Sequence, residues 1–336
     1  MRAAVIYKHG AREPIIVEDR FEDPVPEKGE VIVRVGATSL NYHDLFTRRG
    51  MPGIQVPLPA IMGLDLAGEI VETGEGVTEW QIGDRVMVDP IDRVNAGGLI
   101  GEMRHGGLAE YCRVPEHQLV GLPDNVSFEG ASCLPVAYGT ALRMMYSIGN
   151  VKKGERILIL GASGGVGTCC VQLAKLVGAD VIACASTESK LDQLKSLGAD
   201  HLINYKTEDF AKAIHAKFGK PHRRTFEGGV DVVVNFTGGD TWVPSLKVIH
   251  RRGRLLTCGA TAGFDPKEDI RFIWTFELQV LGSNGWMRED LIKLLDLVSN
   301  GQLKPVIDRT VPLDQVNEAF RLLEDREVFG KIVVKP

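Results

Sequence analysis

The segment Gly161-Ala-Ser-Gly-Gly-Val-Gly167 concentrates small residues at a point where the chain must turn sharply. Counted against the pattern G-x-G-x-x-G, its three key positions are Ala162, Gly164 and Gly167, so alanine replaces the first glycine. Gly164 would let the backbone approach a pyrophosphate, and Gly167 would let a helix pack closely on the preceding strand. We therefore predict a dinucleotide-binding turn. Its residues are Ala162, Ser163, Gly164, Gly165, Val166 and Gly167.

The flanking segments are the elements that such a turn needs. Residues 156–160 form a short apolar run, which is typical of a strand buried on both faces of a parallel sheet. Residues 168–177 continue with a helical pattern. A helix that begins directly after the turn creates an anion site, because its free N–H groups and its dipole face the same point. The alternative is a glycine-rich turn that binds no ligand.

From residue 156 onwards, strands and helices alternate along the chain, which predicts a parallel sheet with helices on both faces. The predicted strands are 156–160, 181–185, 201–204, 231–236, 254–258 and 278–283. The predicted helices between them are 167–178, 188–198, 207–218 and 241–250.

The first 120 residues alternate apolar and polar positions between turns, which favours an antiparallel, barrel-like unit. A long helical stretch follows from Ser127, a candidate N-cap, to about Tyr146. The last 49 residues, 288–336, combine helices 288–299 and 313–324 with strands 308–311 and 331–334, and we expect them to return to the first domain. The predicted domains are 1–126 with 288–336, and 127–287.

Composition narrows the functional classes. With 336 residues, 44% hydrophobic and 25% charged, the chain is typical of a soluble two-domain enzyme. A net charge of −5 argues against a nucleic-acid partner. No apolar run approaches the roughly 20 residues that span a bilayer, and the N-terminus lacks a signal core. We therefore expect a cytoplasmic protein with no membrane partner.

The six cysteines are scattered and form neither C-x-x-C nor a Cys/His cluster with metal spacing. Buried reduced thiols that pack as small hydrophobes explain them better than disulfides or a zinc site. The sequence thus predicts a protein without a metal.

Five further motifs make the chain resemble the medium-chain dehydrogenase/reductase superfamily along nearly its whole length. They are Gly63-Leu-Asp-Leu-Ala-Gly68, Gly83-Asp-Arg-Val86, Gly107-Leu-Ala-Glu-Tyr111, Leu197-Gly-Ala-Asp200 followed by Ile203-Asn-Tyr205, and Phe329-Gly-Lys-Ile332. The resemblance implies an α/β protein with a GroES-like barrel domain, which is catalytic, and a Rossmann domain with a doubly wound parallel sheet. It also implies an active site in the cleft between the two domains.

The metal ligands of this superfamily's zinc enzymes are absent. Zinc alcohol dehydrogenases carry Cys-His-x-Asp, Gly-His-Glu and a cysteine near the start of the long helix. The corresponding positions here are Asn41-Tyr-His-Asp44, Gly63-Leu-Asp65 and about Pro135, and the structural-zinc loop, residues 92–105, has no cysteine. Leucine and proline cannot ligate zinc. The pattern resembles the zinc-independent quinone oxidoreductases of the zeta-crystallin type.

Without zinc, little polarises an isolated ketone or acidifies an alcohol. A conjugated acceptor needs less help, because the negative charge delocalises onto the distal oxygen. We therefore predict hydride transfer from NADPH to quinones or α,β-unsaturated carbonyl compounds. Some relatives that reduce enoyl thioesters carry a catalytic tyrosine shortly after the Asn41–Asp44 motif. Residues 50–52, Gly-Met-Pro, offer none, which disfavours that substrate class.

The resemblance points to four catalytic candidates in one motif. Asn41 is predicted to hold the nicotinamide carboxamide or donate to a developing enolate, although tying down a turn explains it almost as well. Tyr42 and His43 are possible proton donors. His43 falls where zinc dehydrogenases keep a hydroxyl for proton relay, and a solvent-facing histidine is the alternative. Asp44 and Asp65 are expected to anchor hydrogen bonds.

The second strand of the predicted Rossmann sheet indicates which dinucleotide is bound. An NAD enzyme would end this strand with an acid for the ribose 2′-OH, but the position is Ala185. Ser186 and Lys190 are candidates to bind a 2′-phosphate, with Tyr205 near the adenosine. Glu188 argues the other way, unless it only complements the helix dipole. NADPH is the predicted cofactor.

The nicotinamide end is predicted to lie against loops at the carboxyl ends of the strands. The candidates are Asn235, Thr237, Gly238, Cys258, Gly259, Ala260, Gly282 and Ser283, with Lys331 of the Phe329–Ile332 motif added. The glycines would admit close backbone approach, or serve as ordinary turns. In the superfamily, strand 278–283 often pairs with its copy in another subunit, so a homodimer is expected.

Two other functions remain open from the sequence. One is an NAD(P)-dependent alcohol or aldehyde dehydrogenase with an unrecognised metal. The other is a non-catalytic, NADPH-binding structural or nucleic-acid-binding protein of the zeta-crystallin type.

Overall fold

The computed structural model describes residues 1–51, 53–95 and 97–336, and within them the chain divides into two compact units. Unit 1 comprises Met1–Tyr138 and Arg288–Pro336, and unit 2 comprises Gly139–Met287. The sequence placed the first boundary after residue 126. Residues 127–138 fall in unit 1 because their backbone is bonded there: the Ser132 carbonyl accepts from Ser39, and the Val136 N–H donates to Asp65.

The strands of the described chain are β1 (Ala3–Ile6), β2 (Ile16–Glu18), β3 (Glu30–Ser39), β4 (Ala60–Ile61), β5 (Asp65–Thr73), β6 (Arg85–Val88), β7 (Ile91–Asp92), β8 (Gly98–Leu99), β9 (Tyr111–Pro115), β10 (Leu119–Gly121), β11 (Arg156–Ile159), β12 (Asp180–Ala185), β13 (His201–Asn204), β14 (Val230–Val234), β15 (Ile249–Thr257), β16 (Gln279–Gly282), β17 (Ile307–Pro312) and β18 (Lys331–Lys335).

The α-helices are α1 (Tyr42–Arg49), α2 (Phe128–Ser132), α3 (Gly139–Leu142), α4 (Gly165–Leu176), α5 (Glu188–Ser196), α6 (Phe210–Phe218), α7 (Trp242–Val248), α8 (Arg271–Phe276), α9 (Arg288–Ser299) and α10 (Val316–Glu324). Short 3₁₀ turns lie at Glu116–Gln118, Gly239–Thr241 and Leu313–Gln315, and π-helical segments at Leu134–Tyr138 and Arg143–Ile148.

Unit 2 is built on one parallel sheet with the strand order β13-β12-β11-β14-β15-β16. This doubly wound order is that of a Rossmann domain and confirms the predicted fold class. The central strand β11 is fully buried at residues 157–159, as an apolar run covered on both faces requires. Helix α6 begins three residues later than predicted, because Asp209 caps it by accepting from the N–H groups of Ala211 and Lys212.

Unit 1 contains a GroES-like sheet whose central strand is β3. The order β10-β6-β5-β3-β18-β17 also includes β9 against β3, and the pairs are antiparallel except β17 with β18. The C-terminal strands thus complete a sheet begun by the first domain's residues. Close approach of β3 and β5 requires Gly68, where an added Cβ would lie 2.0 Å from the Arg34 carbonyl oxygen.

The long helix predicted from Ser127 to Tyr146 is interrupted. Its start is as expected, because the Ser127 Oγ accepts from the Gly130 N–H at 3.1 Å. A π-helical segment then replaces α-helix over Leu134–Tyr138. Pro135 has no N–H to give to a helical hydrogen bond, and the N–H of Val136 bonds to the Asp65 carboxylate instead. The irregular segment therefore joins the hydrogen-bond network described below.

Two remaining expectations concern surfaces. None of the helices in the three described ranges combines the length and apolar character needed to cross a membrane. Strand β16 ends the parallel sheet, and Val280 on it is 40% exposed. Pairing of this edge with a second copy stays a prediction.

Candidate functional site

The glycine-rich turn of unit 2 has the geometry of a cradle for a pyrophosphate. Gly167 is packed against the turn, since an added Cβ would lie 2.4 Å from the Gly161 carbonyl oxygen. Gly164 is exposed, and a Cβ there would meet only that same oxygen, at 3.7 Å. The two glycines thus serve different purposes: Gly167 allows close packing, and Gly164 leaves open space for a ligand.

Helix α4 begins directly behind this turn with its first N–H groups available. The N-cap is Gly164, which has no side chain to accept from them. The first-turn N–H groups, those of residues 165–167, have no acceptors within the helix itself. An anion at the turn would meet these N–H groups and the positive end of the α4 dipole. The residues present therefore fit a dinucleotide phosphate.

Most of the other predicted cofactor residues lie at the same edge of the sheet. Residues 186, 205, 235–238, 258–260 and 282–283 follow the carboxyl ends of β12 to β16, which all point the same way because the sheet is parallel. Ligands of open α/β sheets bind at this edge, next to the point where the strand order reverses between β11 and β14. The structure thus brings together candidates that lie between residues 186 and 283 of the sequence.

Asn235 organises its loop rather than facing a ligand. It is fully buried, and its Oδ1 accepts from the N–H groups of Thr237 and Gly238, each at 3.0 Å. Its Nδ2 donates to Thr241 and Ser245. Only the backbone that Asn235 holds in place remains for contact with a cofactor.

The glycines of the neighbouring loops divide in the same way as those of the turn. A Cβ on Gly238 would lie 2.4 Å from the Gly263 carbonyl oxygen, so this glycine serves the packing of two loops. No described atom lies within 4 Å of a Cβ built on Gly259 or Gly282. Those two positions leave room for a ligand.

Two more candidates at this edge carry buried polar groups. Ser283 is 7% exposed, and its Oγ has no hydrogen-bond partner among the described residues. Burial raises the pKa of the Cys258 thiol to about 12, so this side chain is a neutral thiol and not a thiolate nucleophile. Ala260 is half-buried beside them.

At the adenosine end, Ala185 closes β12 and leaves no acid at the ribose position. Glu188, the residue that argued for NAD, accepts from the Asn204 Nδ2 at 2.7 Å and thereby joins the start of α5 to the end of β13. Ser186 and Lys190 are half-buried at this end, and the exposed Tyr205 ring carries the Lys206 ammonium at 5.9 Å.

In unit 1, the buried carboxylate of Asp65 lies at the centre of a hydrogen-bond network that includes the catalytic candidate Asn41. Its Oδ1 accepts from the Val136 N–H at 2.9 Å, and its Oδ2 accepts from Asn41 Nδ2 at 2.8 Å and Lys331 Nζ at 3.2 Å. The Ser39 hydroxyl lies 3.1 Å from Oδ2 and 2.8 Å from the Ser132 carbonyl oxygen, and either oxygen can accept its proton in a hydrogen bond. Asp65 is fully buried, so these donors compensate a charge that has no solvent.

Asn41 is oriented by two charges of opposite sign. Its Oδ1 accepts from the Lys331 ammonium, and its Nδ2 donates to Asp65. The reverse amide orientation would set two donors and two acceptors against each other, so the network fixes the side chain. With both ends of its amide used inside unit 1, Asn41 is a positioning residue. The expectation that its amide contacts nicotinamide or an enolate stays a prediction.

Lys331 belongs to the same network. Its side chain is 2% exposed, and its ammonium bonds to Asn41 and Asp65 at the start of β18. The Phe329–Ile332 motif therefore supplies an internal cation to unit 1, and its contact with a cofactor stays a prediction. The motif's glycine, at 330, allows the approach, since its φ of +84° lies in the left-handed region.

Asp44 fastens the start of α1 through two hydrogen bonds to backbone N–H groups. Its Oδ2 accepts from the Asn41 N–H at 2.7 Å, and its Oδ1 accepts from the Gly63 N–H at 3.1 Å. Burial raises the pKa of Asp44 to about 6, despite the Asn41 hydrogen bond and the nearby charges of His43 and Lys331.

His43 is paired with a residue that sequence reasoning did not single out. Its Nε2 lies 2.6 Å from Glu102 Oε2, and the Glu102 side chain is 5% exposed. Burial alone would lower the pKa of His43, but the hydrogen bond and charge of Glu102, together with the charge of Asp44, raise it overall. Tyr42 instead packs against the apolar core of unit 1 and edge-on to Phe46, at 5.8 Å.

The positions of the superfamily's zinc ligands carry no metal-binding set. Leu64 and Pro135 are buried apolar residues, and both ends of the Asn41 amide are used. Within the described ranges, no three or more His, Cys, Asp or Glu side chains group so as to hold a metal ion. Ala96 of loop 92–105, and Pro52 of the segment that lacks the tyrosine, lie outside the described residues.

Sequence reasoning missed two contributors, Glu102 and Ser39. Glu102 lies in a glycine-rich loop, where an acidic residue reads as solvated surface. The one sequence signal for its burial is the neighbouring glycine, Gly101. This residue has a φ of +81° and packs closely against Gly63. Ser39 follows an apolar strand, and no local signal distinguishes it from an ordinary buried hydroxyl.

Comparison with known proteins agrees with both units. Residues 27–124 match the family described as alcohol dehydrogenase GroES-like domain, and residues 165–300 match the zinc-binding dehydrogenase family. The acryloyl-coenzyme A reductase of Sulfurisphaera tokodaii is 30% identical over 95% of this chain and 96% of its own length. The 2-methylene-furan-3-one reductase of Solanum lycopersicum is 34% identical over 100% of this chain and 79% of its own length. A crystal structure of an NAD-dependent alcohol dehydrogenase has 35% identity and a TM-score of 0.90, with both chains covered fully.

Substituting the two cradle glycines separates packing from ligand binding. Gly167→Ala is expected to lower the free energy of unfolding by about 1–3 kcal/mol, because its Cβ overlaps the turn. Gly164→Ala is expected to change it by less than about 1 kcal/mol, since the backbone there suits alanine. Gly164→Ala is nevertheless expected to weaken dinucleotide binding in calorimetry, because its methyl group occupies the cradle. Unchanged affinity in Gly164→Ala would contradict the cradle assignment.

Lys331→Met leaves the buried Asp65 carboxylate without its counter-ion. We expect the free energy of unfolding to fall by about 3–5 kcal/mol in urea denaturation. Lys335→Met is the matched control, because Lys335 lies on the same strand and pairs with Glu129 while 53% exposed, where such pairs contribute at most about 1 kcal/mol. Adding Asp65→Asn to Lys331→Met should restore part of the loss. Equal losses in the two lysine variants would refute the internal ion pair.

Proposed function

Because the chain belongs to the medium-chain dehydrogenase/reductase superfamily, we propose that it is an NADPH-dependent oxidoreductase that reduces conjugated carbonyl compounds without a metal. The substrates are quinones or α,β-unsaturated carbonyl compounds. The observation that carries this proposal is the buried network that Asn41, which stands at one of the superfamily's metal-ligand positions, forms with Asp65 and Lys331.

The network supports metal-free chemistry through its donor set. Zinc needs lone pairs from about three protein side chains. Here the Asn41 oxygen already accepts from Lys331, and the Leu64 side chain has no lone pair to offer. The ammonium of Lys331 also places a positive charge beside Asp65, which disfavours a second cation there.

Substrate class follows from what the remaining groups can do. A reductase that lacks a Lewis acid works best on acceptors whose own conjugation spreads the negative charge. Both reductases reported above have names that denote conjugated carbonyl compounds, an acryloyl thioester and a methylene furanone. Their names support the class of acceptor but do not choose between enone, thioester and quinone.

The cofactor, when bound, supplies the hydride from its dihydronicotinamide ring. Of the residues in unit 2, Gly164 and the first turn of α4 would hold its pyrophosphate. Gly259 and Gly282 leave space for it at the carboxyl edge of the sheet. Ala185 offers no carboxylate to repel a 2′-phosphate, and Ser186 and Lys190 would bind one, which favours NADPH over NADH.

A second candidate function is an NAD-dependent alcohol dehydrogenase. It is favoured by the crystal structure that is 35% identical to this chain. This function requires a metal or another group to acidify the alcohol, and an NAD-type ribose acid that Ala185 does not supply. The non-catalytic alternative predicts dinucleotide binding without turnover on any acceptor.

We also propose that the protein is a homodimer joined through β16. The edge strand β16 offers unpaired backbone groups, and exposed Val280 offers apolar surface to a second copy. The proposed partners are therefore a second copy of this chain and a small-molecule substrate.

Turnover with defined acceptors tests the proposed function. Purified protein with EDTA is expected to oxidise NADPH faster than NADH in the presence of 1,4-benzoquinone, 9,10-phenanthrenequinone or 3-buten-2-one. Acryloyl-CoA, assayed in parallel, reports on the thioester class. Activity that appears only with NAD⁺ and an alcohol, or that EDTA abolishes, would instead support the dehydrogenase. NADPH binding without turnover on every acceptor would support the non-catalytic function.

Lys190→Ala tests the cofactor preference. Loss of a charged hydrogen bond to the 2′-phosphate should lower kcat/KM for NADPH about tenfold and leave that for NADH unchanged. Lys195→Ala is the control, because Lys195 is exposed in the last turn of the same helix α5. Equal effects on the two dinucleotides would show that Lys190 does not contact the 2′-phosphate.

A further inference from the structure

His43 and Glu102 form an ion pair that the proposed hydride transfer leaves unassigned. His43 is the second residue of α1, and its side chain is 29% exposed while Glu102 is 5% exposed. The pair therefore has a buried carboxylate end and a partly accessible imidazole end. Such an arrangement orients an imidazole and stabilises its protonated form, while its other nitrogen is not engaged by the carboxylate.

The loop that carries Glu102 is held to the segment that also anchors α1. The N–H groups of Gly106 and Gly107 donate to the carbonyls of Ile61 and Gly63, each at 2.8 Å. The N–H of Gly63 in turn donates to Asp44, next to His43. The short connection of β4 to β5 thus fixes both partners of the ion pair, so their 2.6 Å contact is set by backbone geometry.

The second nitrogen of His43 is the one that can hand on a proton. Nε2 is engaged by Glu102, which leaves Nδ1 for another contact. The imidazole ring has Glu102 and Asp44 as charged neighbours, and the Phe46 ring lies edge-on to it with 6.5 Å between the ring centroids. Both charged neighbours are acidic, so they raise the pKa of His43 against the opposing effect of burial. Tyr42, the other candidate donor, packs its ring against the apolar core instead.

We infer that His43 is the proton donor of the reaction and that Glu102 is the positioning residue that keeps it protonated. This inference rests on the proposed function. After hydride uptake at the β-carbon, the former C=C electron pair of the substrate forms an enolate. The Nδ1–H bond of His43 then breaks and a C–H bond forms at the α-carbon, or an O–H bond forms at a quinol oxygen. Neutral imidazole retains the N–H electron pair, and solvent returns the proton.

A titration without substrate tests the ion pair itself. The imidazole resonances of the protein are followed by NMR against pH, and that of His43 is assigned by its absence in His43→Gln. The His43 resonance is expected to titrate above the ordinary value, and Glu102→Gln is expected to move its midpoint to lower pH. A midpoint that Glu102→Gln leaves unchanged would overturn the role of Glu102.

Kinetics with 3-buten-2-one and NADPH test the proton transfer. His43→Gln is expected to lower kcat by on the order of 100-fold or more, with little change in KM for NADPH. The donor must be protonated, so wild-type kcat should fall as pH rises through the His43 pKa. In Glu102→Gln this alkaline limb should move to lower pH.

The chain offers a closely matched control. His117 pairs with Asp92 in the same unit at 2.8 Å, with side-chain exposures of 28% and 4%, against 29% and 5% for His43 and Glu102. His117→Gln should therefore leave kcat and its pH profile unchanged. An active wild type with normal kcat in His43→Gln would overturn the inference and leave the proposed function intact. A wild type that reduces no conjugated acceptor would overturn the proposed function and, with it, His43 as donor.

Discussion

The buried carboxylate of Asp65 is the constraint on which the rest of unit 1 depends. A fully buried charge is tolerated only where donors and a counter-ion compensate it. Its donors come from three distant parts of the chain: Asn41 at the start of α1, Val136 in the π-helical segment and Lys331 at the start of β18. One side chain thus joins the N-terminal barrel, the irregular helix and the C-terminal strand. The Lys331 ammonium is the cation that this site requires.

The network also determines what its members are able to do. Asn41 and Lys331 have the chemistry of cofactor or substrate contacts, but both are used internally. Outside this network, His43 has a raised pKa and a partly exposed side chain. Its acidic partner, Glu102, lies on a different loop. Burial thus separates groups that are bonded inside unit 1 from one that stays partly accessible, and residue type alone does not reveal this difference.

Sequence analysis predicted the fold well and the site partly, and the reasons are physical. The parallel sheet followed from apolar strands that alternate with helices, because this pattern is local. The glycine turn was recognised because Gly164 and Gly167 have fixed spacing between a strand and a helix. Asn41 and Lys331 bond to each other although they lie more than 200 residues apart in the sequence, and no local pattern reports such a contact. The sequence did not distinguish Glu102 from a surface residue, because a carboxylate in a loop is ordinarily solvated. Pro135 alone did not predict the interruption of the long helix, because the interruption also depends on Asp65, which accepts from the N–H of Val136.

The π-helical segment constrains which substitutions this site can accept. Because Pro135 diverts the Val136 N–H to Asp65, the absence of a cysteine at that position is tied to the compensation of a buried charge. Introducing one metal ligand of the superfamily here would disturb Asp65 while Lys331 still occupied its place, so each single substitution toward a metal site is disfavoured by the residues around it. Metal dependence and the internal ion pair are thus alternative solutions separated by several coordinated substitutions.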